Sequence, residues 1–269
     1  MAQDLLKGKK GIIFGALDEK SMAWVTALKC HEQGAKILLT NAPVAMRMGE
    51  INKLAEKINA PVIPCDVSNN DDVENLITKA CEHFGGSFDF ILHSIGMSLN
   101  VRKGKHYTEM DYGFNEKTLS ISAMSLHRVL ATCMKHDALN EWGSVVALTY
   151  IAAQRVFPDY NEMADAKALL ESVARSFGYH YGVKKHVRVN TVSQSPTITT
   201  AGSGVKGFDG FYNYAQRMSP LGNASAEDCA NYCVTLFSDF TRMVTMQNLF
   251  HDGGFSFTGV TQEIISKMD

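Results

Sequence analysis

Seven short apolar runs, separated by longer amphipathic stretches, constrain the fold of this chain more tightly than any other feature. The runs are GIIFGA (11–16), AKILLT (35–40), PVIPCDV (61–67), FDFILHSIG (88–96), SVVALTY (144–150), VRVNTVS (187–193) and QNLFHDGG (247–254). Their length and β-branched content are those of strands buried on both faces. Between them, MAWVTALKCHEQG (22–34), VENLITKACEHFG (73–85), ISAMSLHRVLATCMKH (121–136) and AKALLESVARSFGYHYG (166–182) carry apolar residues at helical spacing. Three of these four end in Gly, which reads as a helix stop. A fifth helix is expected from Ser225, where Asp228 stands three residues after a candidate N-cap. Strands alternating with helices predict repeated βαβ units: an α/β fold, a doubly wound parallel sheet of about seven strands with helices on both faces.

No internal repeat, low-complexity tract or Pro-rich linker interrupts the pattern, so residues 1–269 are read as one domain. The 269 residues are 45% hydrophobic and 20% charged, enough to bury one substantial core. A formal net charge of −2 gives no global basic field to recruit nucleic acid or an anionic membrane surface. No apolar run reaches the ~18 residues of a membrane helix, and the first residues lack a signal-peptide core, so a cytoplasmic location and a small-molecule partner are expected. The six cysteines (30, 65, 81, 133, 229, 233) read as reduced, buried thiols. Cys229 and Cys233 share a helix face, but no second Cys or His pair flanks them at ligand spacing, so no metal is expected.

One segment breaks the rhythm. Residues 196–222 follow a strand, hold five Gly and several aromatics, and are longer than a plain connection needs. Long loops at the carboxyl ends of strands are where open sheets build their sites. Residues 197–217 are therefore read as a mobile lid, with Gly202, Gly204, Gly207 and Gly210 supplying backbone freedom and Phe208, Phe211, Tyr212, Tyr214 and Met218 supplying apolar area.

The first strand, its turn and its helix follow the order in which α/β proteins present backbone N–H groups to a diphosphate. The usual G-x-G-x-x-G is absent; Gly15 is followed by a wide turn to Ser21, Met22 and Ala23. Taken alone, Gly15 reads as an ordinary turn. The second strand ends in Thr40 and Asn41, where an acidic residue often meets a ribose diol. Asp66, after the third strand, either accepts from an adenine amino group or begins the next helix.

Tyr150, Tyr160 and Lys167 form the candidate catalytic group. Tyr150 closes a strand, and Tyr160 and Lys167 are placed seven residues apart on the following helix, which would put them on one face at the carboxyl end of the sheet. A tyrosine hydroxyl donates well to an oxygen gaining negative charge, and a nearby ammonium stabilises that charge and holds ribose hydroxyls. The alternative is three ordinary amphipathic surface residues.

Over its full length the chain resembles the short-chain dehydrogenase/reductase family, a Rossmann-type fold, but Ala164 stands where that family's Tyr-x-x-x-Lys would have its lysine. The Tyr-x6-Lys spacing with a second tyrosine ten residues earlier is similar to the divergent branch of enoyl-acyl carrier protein reductases of bacterial type II fatty acid synthesis. The wide turn from Gly15 to Ala23, CDV at 65–67, HSIG at 93–96 and HDGGFS at 251–256 resemble the same branch.

The resemblance implies reduction of the trans-2 double bond of an enoyl thioester on acyl carrier protein, with NADH as donor in preference to NADPH. It implies that Tyr160 bonds the thioester carbonyl, that Lys167 holds the nicotinamide ribose, and that Tyr150 lines the enoyl pocket with Met97. It implies cofactor contacts at Gly15, Ser21, Met22, Asp66, Val67, Ser94, Gly96, Thr149, Pro196 and Thr199, and a homotetramer using CVTLF (233–237) and NLFHDGGFSF (248–257). Departures from the branch stand at Val25, at Asn41–Ala42, at Ser195 in place of Gly, and at the missing Arg two residues after Pro196. A carbonyl reductase of the same fold, or a cofactor-binding regulator without turnover, remain the alternatives at this point.

Overall fold

The computed structural model describes residues 4–200 and 207–268. Its strands are β1 (Lys10–Phe14), β2 (Lys36–Asn41), β3 (Val62–Pro64), β4 (Phe88–His93), β5 (Leu139–Thr149), β6 (Arg188–Gln194) and β7 (Asn248–His251), each overlapping a run expected from sequence, with β5 starting earlier than its run. They form one parallel sheet in the order β3-β2-β1-β4-β5-β6-β7.

Alternate residues of the strands enter opposite layers. Ile12 and Phe14 of β1, with Val145 and Ala147 of β5, pack under α4 (Asn70–Phe84), α7 (Ser125–Lys135) and α8 (Glu162–Lys185). Ile13, Val146 and Leu148 pack on the other face, under α1 (Met22–Glu32), α3 (Ile51–Ile58) and α10 (Ala226–Phe237). A strand apolar at every position is what two covered faces require.

Local signals act as read at several helix ends. Ser225 caps α10 in a complete capping box with Asp228, and Gly85 ends α4 at φ 70°. Elsewhere tertiary contacts override them. Gly182 does not stop α8, which runs on to Lys185 and ends at His186 with φ 54°. Within that helix, Gly178 serves a close approach instead, since a Cβ there would come 2.6 Å from Met246 Cγ. Asn69, accepting from the Asp71 and Asp72 amides, caps α4 in place of Asp66; Asp66 accepts from the Ser68 amide and hydroxyl in the preceding turn.

The segment expected as one helix at 121–136 is the end of a longer one. It begins as α6 (Tyr112–Leu119), widens into a π-turn at Ser120–Met124 and continues as α7. The widened turn lets Ser122 Oγ accept from the Met97 amide and donate to the Met97 carbonyl, fixing the loop after β4. The connection between β2 and β3 carries two helices not expected from sequence, α2 (Pro43–Met48) and α3.

The lid expected at 197–217 is irregular only in part: Phe208–Met218 is the helix α9, with Ala215 and Met218 buried against Ile151 and Phe255. Gly202 and Gly204 lie outside the described residues. The CVTLF stretch is interior, because Cys233, Val234, Leu236 and Phe237 belong to the core under α1 and cannot supply an assembly surface.

Candidate active site

Strand order reverses between β1 and β4, so their carboxyl ends diverge and leave a crevice, the usual ligand position in an open α/β sheet. Gly15 follows β1 there with φ 93°, and a Cβ on it would lie 2.0 Å from the carbonyl oxygen of Ser94, the residue after β4. Only glycine permits this approach of two backbones at the crevice floor. Ser21 then opens α1 by accepting from the Trp24 amide at 3.3 Å, which leaves the helix N-terminus facing the crevice rim.

Two cavities meet at this crevice. The first, of about 240 Å³, is lined by Met22, Ser94, Gly96, Thr149, Tyr150, Tyr160, Lys167, Pro196 and Thr199 among the residues singled out from sequence. The second, of about 900 Å³, takes Gly15, Asp66 and Val67. Met97 lines the second cavity, not the one that holds the tyrosines. Ser21 lines neither, and its hydroxyl is occupied with the Asp18 carbonyl and the Leu17 and Trp24 amides.

Tyr160 and Lys167 do meet, but not along one helix face. Helix α8 begins at Glu162, and Tyr160 stands in the loop before it, next to Asn161 at φ 46°. Their proximity comes from that turn and from the packing of α8 on β5, where Lys167 Nζ donates to the Leu148 carbonyl at 2.8 Å. Tyr150, just past β5, has its ring 5.2 Å from that of Tyr160.

Burial sets the electrostatics. It raises the pKa of both Tyr150 and Tyr160, which keeps both hydroxyls protonated as donors. It lowers Lys167 to about 8, partly offset by the Glu171 carboxylate one turn along α8. Burial also raises Glu171, which accepts from Thr149 Oγ1 at 3.0 Å, Asn248 Nδ2 at 3.2 Å and Gln154 Nε2 at 3.3 Å. His93, under the cavity floor, is held at about 3 by burial and by the charge of Lys167, so it is neutral, with Nε2 2.8 Å from Ser125 Oγ.

Sequence reading missed several residues of the site. Glu162, fully buried, receives Ser98 Oγ at 2.6 Å and Thr118 Oγ1 at 3.0 Å and so ties the start of α8 to two neighbouring segments. Phe208 and Phe211, expected from sequence as apolar area of the lid, do line the first cavity. The only signal for Glu162 was its place beside Asn161 at a helix start, indistinguishable in sequence from an ordinary first-turn acid. Two departures also find physical roles. Asn41 donates to the Ala16 carbonyl and accepts from the Ala42 amide, both at 2.8 Å, so the amide fastens the β1–α1 turn in a way that a carboxylate could not. Ser195 accepts from the Ala224 amide at 3.0 Å. Val25 lies half-buried on α1, and Ile198, where the Arg is missing, is exposed.

These residues fit a dinucleotide. The glycine floor admits a diphosphate, two linked cavities suit its two nucleoside halves, and Thr40 Oγ1, buried on the second cavity and without a hydrogen-bond partner among the described residues, offers an unused polar group. Among the described residues there is no cluster of His, Cys, Asp or Glu able to hold a metal ion, and no helix long and apolar enough to cross a membrane.

The family model of enoyl-(acyl carrier protein) reductases matches residues 15–256. The chain is 32% identical over 259 residues to enoyl-[acyl-carrier-protein] reductase [NADH] 2 of Rhizobium meliloti, covering 95% of this chain and 94% of that one. It is 32% identical to the FabI enzyme of Aquifex aeolicus, covering 95% and 94%. The FabI–NADH complex from Alistipes finegoldii superposes with a TM-score of 0.95 at 64% identity, covering 96% of this chain and 91% of that one. With this match spanning the crevice, both tyrosines and the lysine, the chain belongs to the enoyl-acyl carrier protein reductase family.

Proposed function

We propose that this chain reduces the trans-2 double bond of enoyl thioesters carried on acyl carrier protein, with NADH as donor, the reductive step of fatty acid elongation. The observation that carries the reading is the convergence of Tyr150, Tyr160 and Lys167 on one cavity that opens into a dinucleotide-sized groove.

Gly15, Met22, Asp66, Val67, Ser94, Gly96, Thr149, Pro196 and Thr199 hold the cofactor, Ser21 fixes the turn that leads into α1, and Lys167 grips the nicotinamide ribose with the N–H bonds that the Leu148 carbonyl leaves free. NADH, when bound, supplies hydride chemistry to the β-carbon of the double bond. The Tyr160 hydroxyl, kept protonated by burial, donates to the thioester carbonyl oxygen as negative charge gathers there. Tyr150 walls the enoyl pocket beside it. Glu162, through Ser98 and Thr118, positions the loop that carries Tyr160. Phe208 and Phe211 cover the acyl chain and exclude water, with α9 acting as a lid that opens for the substrate.

A cytoplasmic homotetramer completes the proposal. Exposed Tyr179 and Val183 on α8, with Phe240, Met243 and Phe257, offer apolar area for such contacts in place of the buried CVTLF stretch. The decisive experiment is NADH oxidation followed by absorbance with crotonyl-acyl carrier protein; absence of turnover by a folded protein that binds NADH overturns the enzyme reading. Light scattering that finds only monomer at micromolar concentration overturns the assembly.

A further inference from the structure

We infer that Arg102 is the residue that binds the cofactor's diphosphate from the side opposite α1. This rests on the NADH reading of the site and assigns to one cation a contact that the sequence motifs do not. Two residues, Ile95 and Arg102, line both cavities, so they mark the passage between them. A dinucleotide that spans the two cavities has one part that must occupy this passage, the diphosphate joining its halves. Among the charged side chains of the two linings, Arg102 is the one common to both.

The lining of the second cavity is acidic on balance, so an anion there depends on a cation that is free to meet it. The second cavity is lined by the carboxylates of Asp18, Glu19, Glu50 and Asp66 against the cations Lys20 and Arg102. Three of the carboxylates are engaged locally: Asp18 with the Lys20 amide and Thr200, Glu50 with Lys53, and Asp66 with Ser68. The Arg102 guanidinium has no hydrogen bond or ion pair among the described residues. A diphosphate would bring to it the planar, bidentate oxygen pair that a guanidinium recognises better than an ammonium does.

The segment that bears Arg102 is held rigidly, which a binding residue requires and an incidental surface arginine does not. Arg102 ends the short helix α5 (Leu99–Arg102), which is capped by buried Ser98. Asn100, fully buried, both donates to the Asp111 carbonyl and accepts from its amide. Lys103 lies 4.3 Å over the Phe114 ring, and the Lys105 carbonyl accepts from Asn161, the neighbour of Tyr160. The same loop thus connects the diphosphate passage to the catalytic tyrosine.

A phosphate also occurs in the pantetheine arm of an acyl carrier, and the test separates the two sources. Arg102→Gln and Arg102→Lys are compared with the unaltered protein by titrating NADH, ADP and adenosine, followed by fluorescence or calorimetry at several salt concentrations. The expected result is a loss of NADH and ADP affinity of about 5- to 20-fold in Arg102→Gln, as for one partly exposed charged contact, with partial retention in Arg102→Lys. Adenosine affinity is unchanged, and the salt dependence of NADH binding becomes shallower in Arg102→Gln. Unaltered NADH and ADP affinity in Arg102→Gln overturns the assignment. Unaltered NADH affinity with a raised KM for crotonyl-acyl carrier protein, but not for a crotonyl thioester of N-acetylcysteamine, transfers the residue to the carrier's phosphate and overturns it equally. An unaltered protein that binds no NADH at all would instead refute the functional reading beneath it.

Discussion

Replacing Lys167 with Met should stabilise the ligand-free protein near neutral pH while weakening its hold on NADH. The ammonium is buried, makes one hydrogen bond to the Leu148 carbonyl, and titrates at about 8 against an ordinary value of 10.5. A folded-state value below the unfolded one means that the unfolded chain binds the proton more tightly. Between about pH 8 and 10.5 the unfolded state therefore carries more protons, and wild-type stability rises with pH through that window; below it the whole penalty is present. That lowering corresponds to about 3 kcal/mol. Losing the hydrogen bond costs the variant about 1 kcal/mol, which leaves Lys167→Met about 2 kcal/mol more stable in the neutral range. Above pH 10.5 only the hydrogen bond remains, and the wild type should lead by about 1 kcal/mol. Urea unfolding of both proteins without ligand, across the range from neutral pH to above the ordinary lysine pKa, measures the difference directly. A difference that does not change sign with pH, or a variant less stable near neutrality, would refute the buried-charge argument. NADH titration of the same variant should show affinity lowered at least about tenfold, since stability here is given up for a function.

Tyr160→Phe should lower turnover about 100-fold, the usual effect of deleting one donor to a developing oxyanion, with NADH affinity unchanged; undiminished kcat removes Tyr160 from the mechanism. Gly15→Ala combines a positive φ, worth about 1 kcal/mol, with an overlap at 2.0 Å against the Ser94 carbonyl. It should lower both the melting temperature and NADH affinity, and unchanged binding would show that the crevice floor is not where the cofactor lies. Hydrogen exchange in peptides covering residues 208–218 should slow when NADH and a non-reducible acyl thioester bind together, and equal exchange in both states would contradict a moving lid.

How far the sequence could be read depended on whether the signal was local. Buried parallel strands advertise themselves, because a strand covered on both faces has little room for a polar residue in its middle. The capping box at Ser225 was equally plain, since its partners are three residues apart. Gly182 misled for the opposite reason: a glycine stops a helix only where the chain must turn, and packing carries α8 through both of its late glycines. Helices α2 and α3 went unread because Gly49, itself pressed onto Leu17, breaks the segment between them, and only α3 puts a row of apolar residues (Ile51, Leu54, Ile58) into the core.

By itself the sequence determined the alternation of strands and helices and the two-sided core that follows from it, which are properties of period and composition that the chain carries wherever it goes. Tyr150, Tyr160 and Lys167 stood out as candidates by their spacing, and the resemblance to a family gave them their proposed roles. The tertiary structure decided how the groups meet. Tyr160 reaches the site through a left-handed turn at Asn161 and not through helical register. The depressed pKa of Lys167 comes from burial behind β5. Glu162 acquires its meaning from Thr118 and Ser98, 44 and 64 residues away, and Arg102 from the junction of two cavities. Desolvation and cavity shape depend on what packs from elsewhere in the chain, and no local pattern of residues encodes them.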